Sequence, residues 1–329
     1  MAQKQIEIRF MTEKTEGHGE DAPPVLICKK NAFATGVFDG MGGSGANLCH
    51  SKYGENYTMA YVASRIIRDT IELFLDQKLD NKEEFSKEDI KQIIKNRLNE
   101  EKKEFSLTTT SILRSKLIRT YPTTMAVATL RMKKAGWCVD AFWAGDSRCY
   151  LWTKKGFFQI TKDDLEEDND PMKNLRNDSS MSNCICLDND FHINHNQIQL
   201  SAEDEPIMIL SATDGCFGYY STPMEFESIL KKSLNKAKNE EEWKTNIQND
   251  IQKVTGDDTS FALIGIGYES FNKFKSIFTK QRKDYNKIKN YKEEAENKEK
   301  EYQKARKKYE DYVLSCWNTY QSEYMKYIN

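Results

Sequence analysis

The chain has 329 residues, 38 % of them apolar and 11 % aromatic, which is enough for one large domain with an appendage or for two ordinary domains. Its 49 basic and 51 acidic side chains leave a formal charge of −2, which excludes a general attraction to nucleic acid or to anionic membrane surfaces. The eight cysteines show no zinc-like pairs of doublets and the chain is too large to need disulfide staples, so a reducing, cytoplasmic setting is expected.

The opening "MAQKQIEIRFMTEKTEG" has no basic stretch followed by a long apolar run, so no signal peptide is expected. No window approaches the ~18 apolar residues of a membrane span. Seven short β-branched and aromatic runs read as buried strands: "VLICKK", "AFATGVF", "TTMAVATLRM", "WCVDAFWAG", "RCYLWTK", "IMILSA" and "SFALIGIG". Three segments have helical period instead. The first is expected from near Ser44 through "GENYTMAYVASRIIRDTIELFLDQ", with Tyr53, Tyr57, Tyr61, Ile66, Leu73 and Leu75 along it. The second, "SKEDIKQIIKNRLNEEKKEF", opens with Ser86 and Asp89 as a capping box, and the third runs from Met224 to Val254 with a break near Lys238 and Asn239. Strands in runs with helices inserted as blocks favour an α+β sandwich, two packed antiparallel sheets flanked by helices, over a doubly wound parallel sheet.

Residues 163–183, "DDLEEDNDPMKNLRNDSSMSN", are polar and acidic and read as a surface loop. After Tyr268 the composition changes, which divides the chain into a domain of residues 1–268 and a helical, coiled-coil-like extension of residues 269–329. From Phe271 onward 15 basic residues stand against 9 acidic ones, so the extension carries +6 and the rest −8. Phe271, Phe274, Phe278, Tyr285, Ile288, Ala295, Tyr302, Tyr309, Tyr312 and Cys316 fall at helical spacing with no proline or glycine between them. A single helix of about 85 Å would follow if nothing interrupts it. Packing on its own domain, self-association and binding of a protein partner are all open to it.

Aspartates recur at the ends of the apolar runs. "GVF" ends in Asp39-Gly40, "DAFWAG" in Asp146, "IMILSAT" in Asp214-Gly215, and Asp257-Asp258 precede "TSFALIGIG". Any one of these is an ordinary turn signal. Four strands each delivering a carboxylate at one tip, with only Arg148 nearby to neutralise them, call for a cation, and an all-oxygen set selects a hard divalent ion. Four of the 16 glycines crowd into positions 40–45 behind Asp39, where the Gly40 carbonyl can itself be an oxygen ligand and the other glycines let the chain turn sharply. Such a set suits a binuclear hydrolase.

These motifs, in order, resemble the metal-dependent serine/threonine protein phosphatases, the type 2C or PPM family. The resemblance runs over about residues 5–267 through "GEDA", "VFDGMGG", "TTMAVATL", "AGDSRCYLW" with "ITKDD", "LSATDGCFGY" and "GDDTSFALI". Met41, where many eukaryotic members carry histidine, gives the chain a bacterial look. The resemblance implies an αββα sandwich with two Mn²⁺ or Mg²⁺ ions, and a third more labile one, in a cleft at one end of the sheets. Asp39 would bridge two ions, the Gly40 carbonyl would serve one, and Asp214 and Asp257 would hold the other. Glu20 and Asp21 would act through waters, Asp146 would serve the third metal, and Asp258 would support. Asp39, Asp214 and Asp257 are thereby the catalytic set, activating a bridging water against phosphoserine or phosphothreonine of a phosphoprotein. Arg148 would be structural. Where members of the family carry an arginine before the Glu-Asp pair, this chain reads "TEKTEGHGED", leaving Arg9 or His18 as substitutes. The rival reading is a catalytically impaired phosphatase-fold scaffold or regulatory protein acting through its C-terminal helix.

Three features stay outside this scheme. His192 and His195 stand three apart in an expected strand and face opposite ways. Cys184 and Cys186 share a face but lack further metal ligands. Tyr53, Tyr57 and Tyr61 read as a helix face in the core.

Overall fold

In a computed structural model that describes residues 4–51, 54–104, 118–166, 170–175, 179–280 and 284–327, each of the seven apolar runs forms a strand. Strand pairing is antiparallel throughout the two main sheets. One sheet runs Gln5–Thr12, Thr259–Ile266, Ile207–Ala212, Arg148–Thr153 and Gly156–Gln159 from edge to edge. The other runs Asn194–Leu200, Gly136–Ala144, Met125–Lys133, Ala32–Val37 and Val25–Lys29. Their inner faces meet through Phe33, Ala126, Ala128, Leu130, Val139, Leu151, Ile209 and Ile264. Being covered on both faces, the central strands read as unbroken apolar runs rather than alternating ones.

The outer faces are covered by helices. Met59–Asn81 and Lys87–Glu104 bury Val62, Ile66, Ile67, Ile90 and Ile94 against the second sheet. Pro223–Lys236, Glu240–Gln252 and Phe271–Phe278 bury Phe226, Leu230, Trp243, Ile247, Phe274 and Phe278 against the first. The result is the αββα sandwich expected from the sequence. The Ser86 and Asp89 capping box is formed, Ser86 Oγ accepting from Asp89 N–H while the Asp89 carboxylate accepts from Ser86 N–H at 2.8 Å.

Two helix expectations change. Beyond a single turn at Gly42–Gly45, residues Leu48–Ser51 and Gly54–Thr58 pair as a hairpin, and the helix begins only at Met59. Thr58 caps it, its side chain accepting from Tyr61 N–H. Tyr57 and Tyr61 do touch, stacked at 4.1 Å, but across a strand-to-helix junction; Tyr53 lies outside the described residues. The long C-terminal helix is also interrupted. Phe271–Phe278 ends at Thr279, and a separate helix spans Tyr285–Tyr324.

The chain divides into two compact units, Met1–Lys280 and Gln281–Asn329. The helix Phe271–Phe278 therefore groups with the sandwich, whose unit ends at Lys280, twelve residues past position 268, because Phe274 and Phe278 are buried in its core. Within the second unit, the helix Tyr285–Tyr324 exposes Tyr291, Tyr302, Tyr309, Tyr312 and Leu314.

Candidate active site

Asp39 follows the strand Ala32–Val37, and its position is fixed from behind. Its carbonyl oxygen accepts from Thr123 Oγ1 at 2.7 Å and from Thr124 N–H at 2.8 Å, tying the strand tip to the start of the neighbouring strand. Gly40 is required here by close approach: a methyl group on it would lie 2.5 Å from the Ala60 carbonyl oxygen and 2.6 Å from that of Glu20. Gly215, behind Asp214, is constrained the same way, since a methyl there would overlap the Asp258 carbonyl oxygen.

The aspartates delivered by separate strands converge. The Asp39 carboxyl lies close enough to Asp21, Asp214 and Asp146 for each to act on its proton affinity. Burial, reinforced by Asp21, Asp214 and Asp146, raises Asp39 well above the usual carboxylate range. Burial raises Asp21 likewise, with Asp214 and Asp258 adding to it. Asp146 is pushed up to about 8 by burial and then by Asp214 and Asp163, and Asp214 to about 6 by burial and then by Asp257. Glu20 is raised by burial, with Asp258 and Asp257 contributing. Exposure grades outward: Asp21 is buried, Asp39, Asp146 and Asp214 are partly exposed, and Asp257 is exposed. So Asp39, Asp214, Asp257, Asp21, Glu20 and Asp146 all belong to one electrostatic group.

Among the described residues no group of three or more His, Cys, Asp or Glu side chains is placed to hold a metal ion as it stands. Crowded acids without a countercharge hold their protons more tightly, which is the direction of every shift in this group. Asp146 Oδ1 is buried without a hydrogen-bond partner. Raised carboxyls, an orphaned carboxylate oxygen and an all-oxygen donor set fit a hard divalent cation.

The neighbouring basic groups are committed elsewhere. Arg148 makes a buried bidentate pair with Asp163, at 2.9 Å and 2.7 Å, and its guanidinium lies 4.3 Å from the centre of the Phe217 ring. This is the structural role expected for it. Replacing Arg148 by Met strands the Asp163 charge, and urea unfolding is expected to show a loss of about 3 kcal/mol. Arg9 sits mid-strand opposite Ala262, and His18 is exposed in the loop.

Arg65, which the sequence did not flag, lies against the acidic loop. Its Nη2 donates to the Gly19 carbonyl at 3.1 Å, its Nη1 donates to those of Tyr61 and Glu20, and its guanidinium stacks 3.3 Å from the centre of the Tyr61 ring. With Ser64 Oγ also donating to Glu20 O at 2.6 Å, the helix Met59–Asn81 holds the Gly19–Glu20 backbone in place. The Glu20 carboxylate accepts from Thr58 Oγ1 at 2.6 Å and the Asp21 carboxylate from Thr213 Oγ1 at 2.8 Å. Asp258 accepts the backbone N–H groups of Lys14 and Glu20 at 2.7 Å and 2.6 Å. Asp258 therefore braces the loop.

Comparison with known proteins agrees with this architecture. No curated protein sequence matches the chain. Among solved structures, a bacterial serine phosphatase bearing an arginine-to-lysine mutation superposes with a TM-score of 0.56 at 17 % identity, covering 82 % of this chain and 99 % of that one. The serine/threonine phosphatase Stp1 from Staphylococcus aureus gives 0.54 at 16 % identity over 82 % of this chain and 96 % of its own. A C. elegans sex-determining protein gives 0.55 at 13 %, over 85 % and 68 %. At such identities these likenesses establish the fold. Membership rests on the sequence pattern of residues 15–253, which matches protein phosphatase 2C: the chain belongs to that family of metal-dependent serine/threonine protein phosphatases.

Proposed function

We propose that this chain is an active phosphoprotein phosphatase and that Asp39, the Gly40 carbonyl, Asp214 and Asp257 hold a pair of Mn²⁺ or Mg²⁺ ions. Glu20 and Asp21 act through waters and Asp146 serves a third, weaker ion. When bound, the ions supply Lewis acidity, which lowers the pKa of an attacking water and neutralises phosphoryl oxygens. The chain's own residues supply position. Thr123 and Thr124 anchor the Asp39 backbone, Thr213 and Thr58 orient Asp21 and Glu20, and Arg65 and Asp258 fix the loop carrying both. The observation that carries this reading is the convergence of Asp21, Asp39 and Asp214, carried by separate parts of the chain, into one group with raised proton affinities.

Hydrolysis of p-nitrophenyl phosphate and of a phosphoserine peptide is the test. Turnover is expected with Mn²⁺ and is expected to vanish with chelator. A folded protein without metal-dependent turnover would shift the reading to the scaffold, which is favoured by one feature: Arg65, beside the Glu-Asp loop, spends its donors on backbone carbonyls.

Residues 270–329 are proposed to bind a protein partner or a second copy, supported by the aromatic side chains exposed along Tyr285–Tyr324. A cytoplasmic setting is proposed from the eight unpaired cysteines. Among the described residues no helix is long and apolar enough to cross a membrane.

A further inference from the structure

The helix Tyr285–Tyr324 carries a repeat that the phosphatase reading leaves unused. Ile288, Ala295, Tyr302, Tyr309 and Cys316 stand seven apart, and Tyr291, Lys298, Ala305, Tyr312 and Thr319 follow each of them by three. These are the a and d positions of five consecutive heptads, and a strict seven-residue period keeps such a seam facing one neighbour along its length. The seam is open: Tyr302, Tyr309 and Tyr312 are 57 %, 68 % and 72 % exposed, and Cys316 is exposed. It is also uneven, with rings, alanines and a lysine in alternation, so only a surface of matching spacing fills it.

A second copy matches it in one orientation. When two such helices run antiparallel, each a residue meets a d residue of the other. Setting Tyr302 against the second copy's Ala305 fixes every other layer. Ala295 then meets Tyr312, Lys298 meets Tyr309, Tyr291 meets Cys316 and Ile288 meets Thr319, each twice by the two-fold axis. Both alanines receive a tyrosine ring, and the Lys298 ammonium reaches an aromatic face. The flanking charges agree. Glu299 comes beside the second copy's Arg306 and Glu301 beside its Lys308, with no like-charged pair among the flanking positions. Parallel pairing in register instead sets Lys298 against Lys298, Glu294 against Glu299 and Lys287 against Lys292. Within one helix Arg306 Nε donates to Glu310 at 2.8 Å and Lys298 Nζ to Glu294 at 2.6 Å. Exposed pairs one turn apart contribute little and yield to contacts across a seam.

Resting on the reading that residues 270–329 bind a partner or a second copy, we propose that the occupant is a second copy. Two chains join through an antiparallel coiled coil of residues 288–319, about 48 Å long, with the two-fold axis between Tyr302 and Ala305.

Sedimentation equilibrium of the full chain under reducing conditions, and peptide mapping after mild oxidation, test this. Wild type is expected to be a dimer. On oxidation it is expected to show no link between two copies of Cys316, which the antiparallel register holds about 38 Å apart along the axis. Tyr291→Cys is expected to cross-link the dimer, position 291 of each copy joining Cys316 of the other. Glu299→Lys with Glu301→Lys is expected to weaken the dimer about tenfold, and adding Arg306→Glu and Lys308→Glu to restore it. All four changes exchange good helix formers, so the helix itself is not at stake. A dimer linked through Cys316 of both copies would overturn the antiparallel register and keep self-association. A chain still monomeric at about 0.1 mM would overturn the second copy as occupant. Fast amide exchange along residues 288–319 of that monomer would leave the face to another protein. Protected amides there would assign it to its own chain and remove the underlying reading as well. None of these measurements needs metal or turnover.

Discussion

Asp39→Ala is expected to abolish Mn²⁺-stimulated hydrolysis of p-nitrophenyl phosphate, by about two to three orders of magnitude, while leaving the metal-free protein as stable as wild type or more so. The two halves have one cause. Asp39 stands among Asp21, Asp146 and Asp214, and burial together with those neighbours raises its proton affinity. Removing it takes a crowded acid out of a group whose nearest basic side chain, Arg148, is already paired with Asp163, so the melting temperature measured with chelator should hold or rise. The same deletion removes the side chain proposed to bridge the metals. The increase in melting temperature on adding Mn²⁺ should therefore shrink, because that increase reports ion binding to the folded chain. A variant that loses activity and also melts well below wild type in chelator would make Asp39 a structural residue. One that keeps metal-dependent turnover would remove the proposed centre.

Asp39, Asp146 and Asp214 were legible because each follows an apolar run, and Asp257 because it precedes one; Glu20 and Asp21, behind a polar stretch, were found only through the resemblance. The supports were not legible. Arg65 lies 46 positions from Gly19, whose carbonyl it holds, and nothing in local spacing joins them. The strand Gln5–Thr12 went unread although Ile6, Ile8 and Phe10 alternate inward, since an edge strand that interleaves Glu7 and Arg9 resembles a polar terminus. The Tyr57 and Tyr61 spacing of four reported a real contact, yet it is satisfied by a strand end over the first turn of a helix as well as by continuous helix. Periodicity locates contacting faces better than it locates ends. The C-terminal region shows the same limit, where Phe274 and Phe278 share the helical period of the tyrosines beyond them although only the phenylalanines enter the core.

That distinction sets the outcome of truncation. Ending the chain after Tyr268 is expected to give insoluble or unfolded protein, whereas ending it after Lys280 is expected to give a folded domain with unchanged turnover of a small substrate. Phe274 and Phe278 are 0 % and 2 % exposed, and their rings lie against Trp243 and Trp152, with centroids 5.7 Å and 5.3 Å apart. Lys275 Nζ donates to the Ala237 carbonyl at 2.7 Å, and Lys231 Nζ to that of Lys280 at 3.0 Å. Losing one buried phenylalanine costs about 3–5 kcal/mol, so losing two rivals the whole ~5–15 kcal/mol stability of a domain. Circular dichroism and gel filtration of the two truncations separate the cases. Equal folding of both would show that Phe271–Phe278 is dispensable to the sandwich. With the Lys280 truncation folded, any fall in its solution mass beyond that of the deleted residues assigns self-association to the helix Tyr285–Tyr324, and an unchanged subunit count leaves that helix to a different partner.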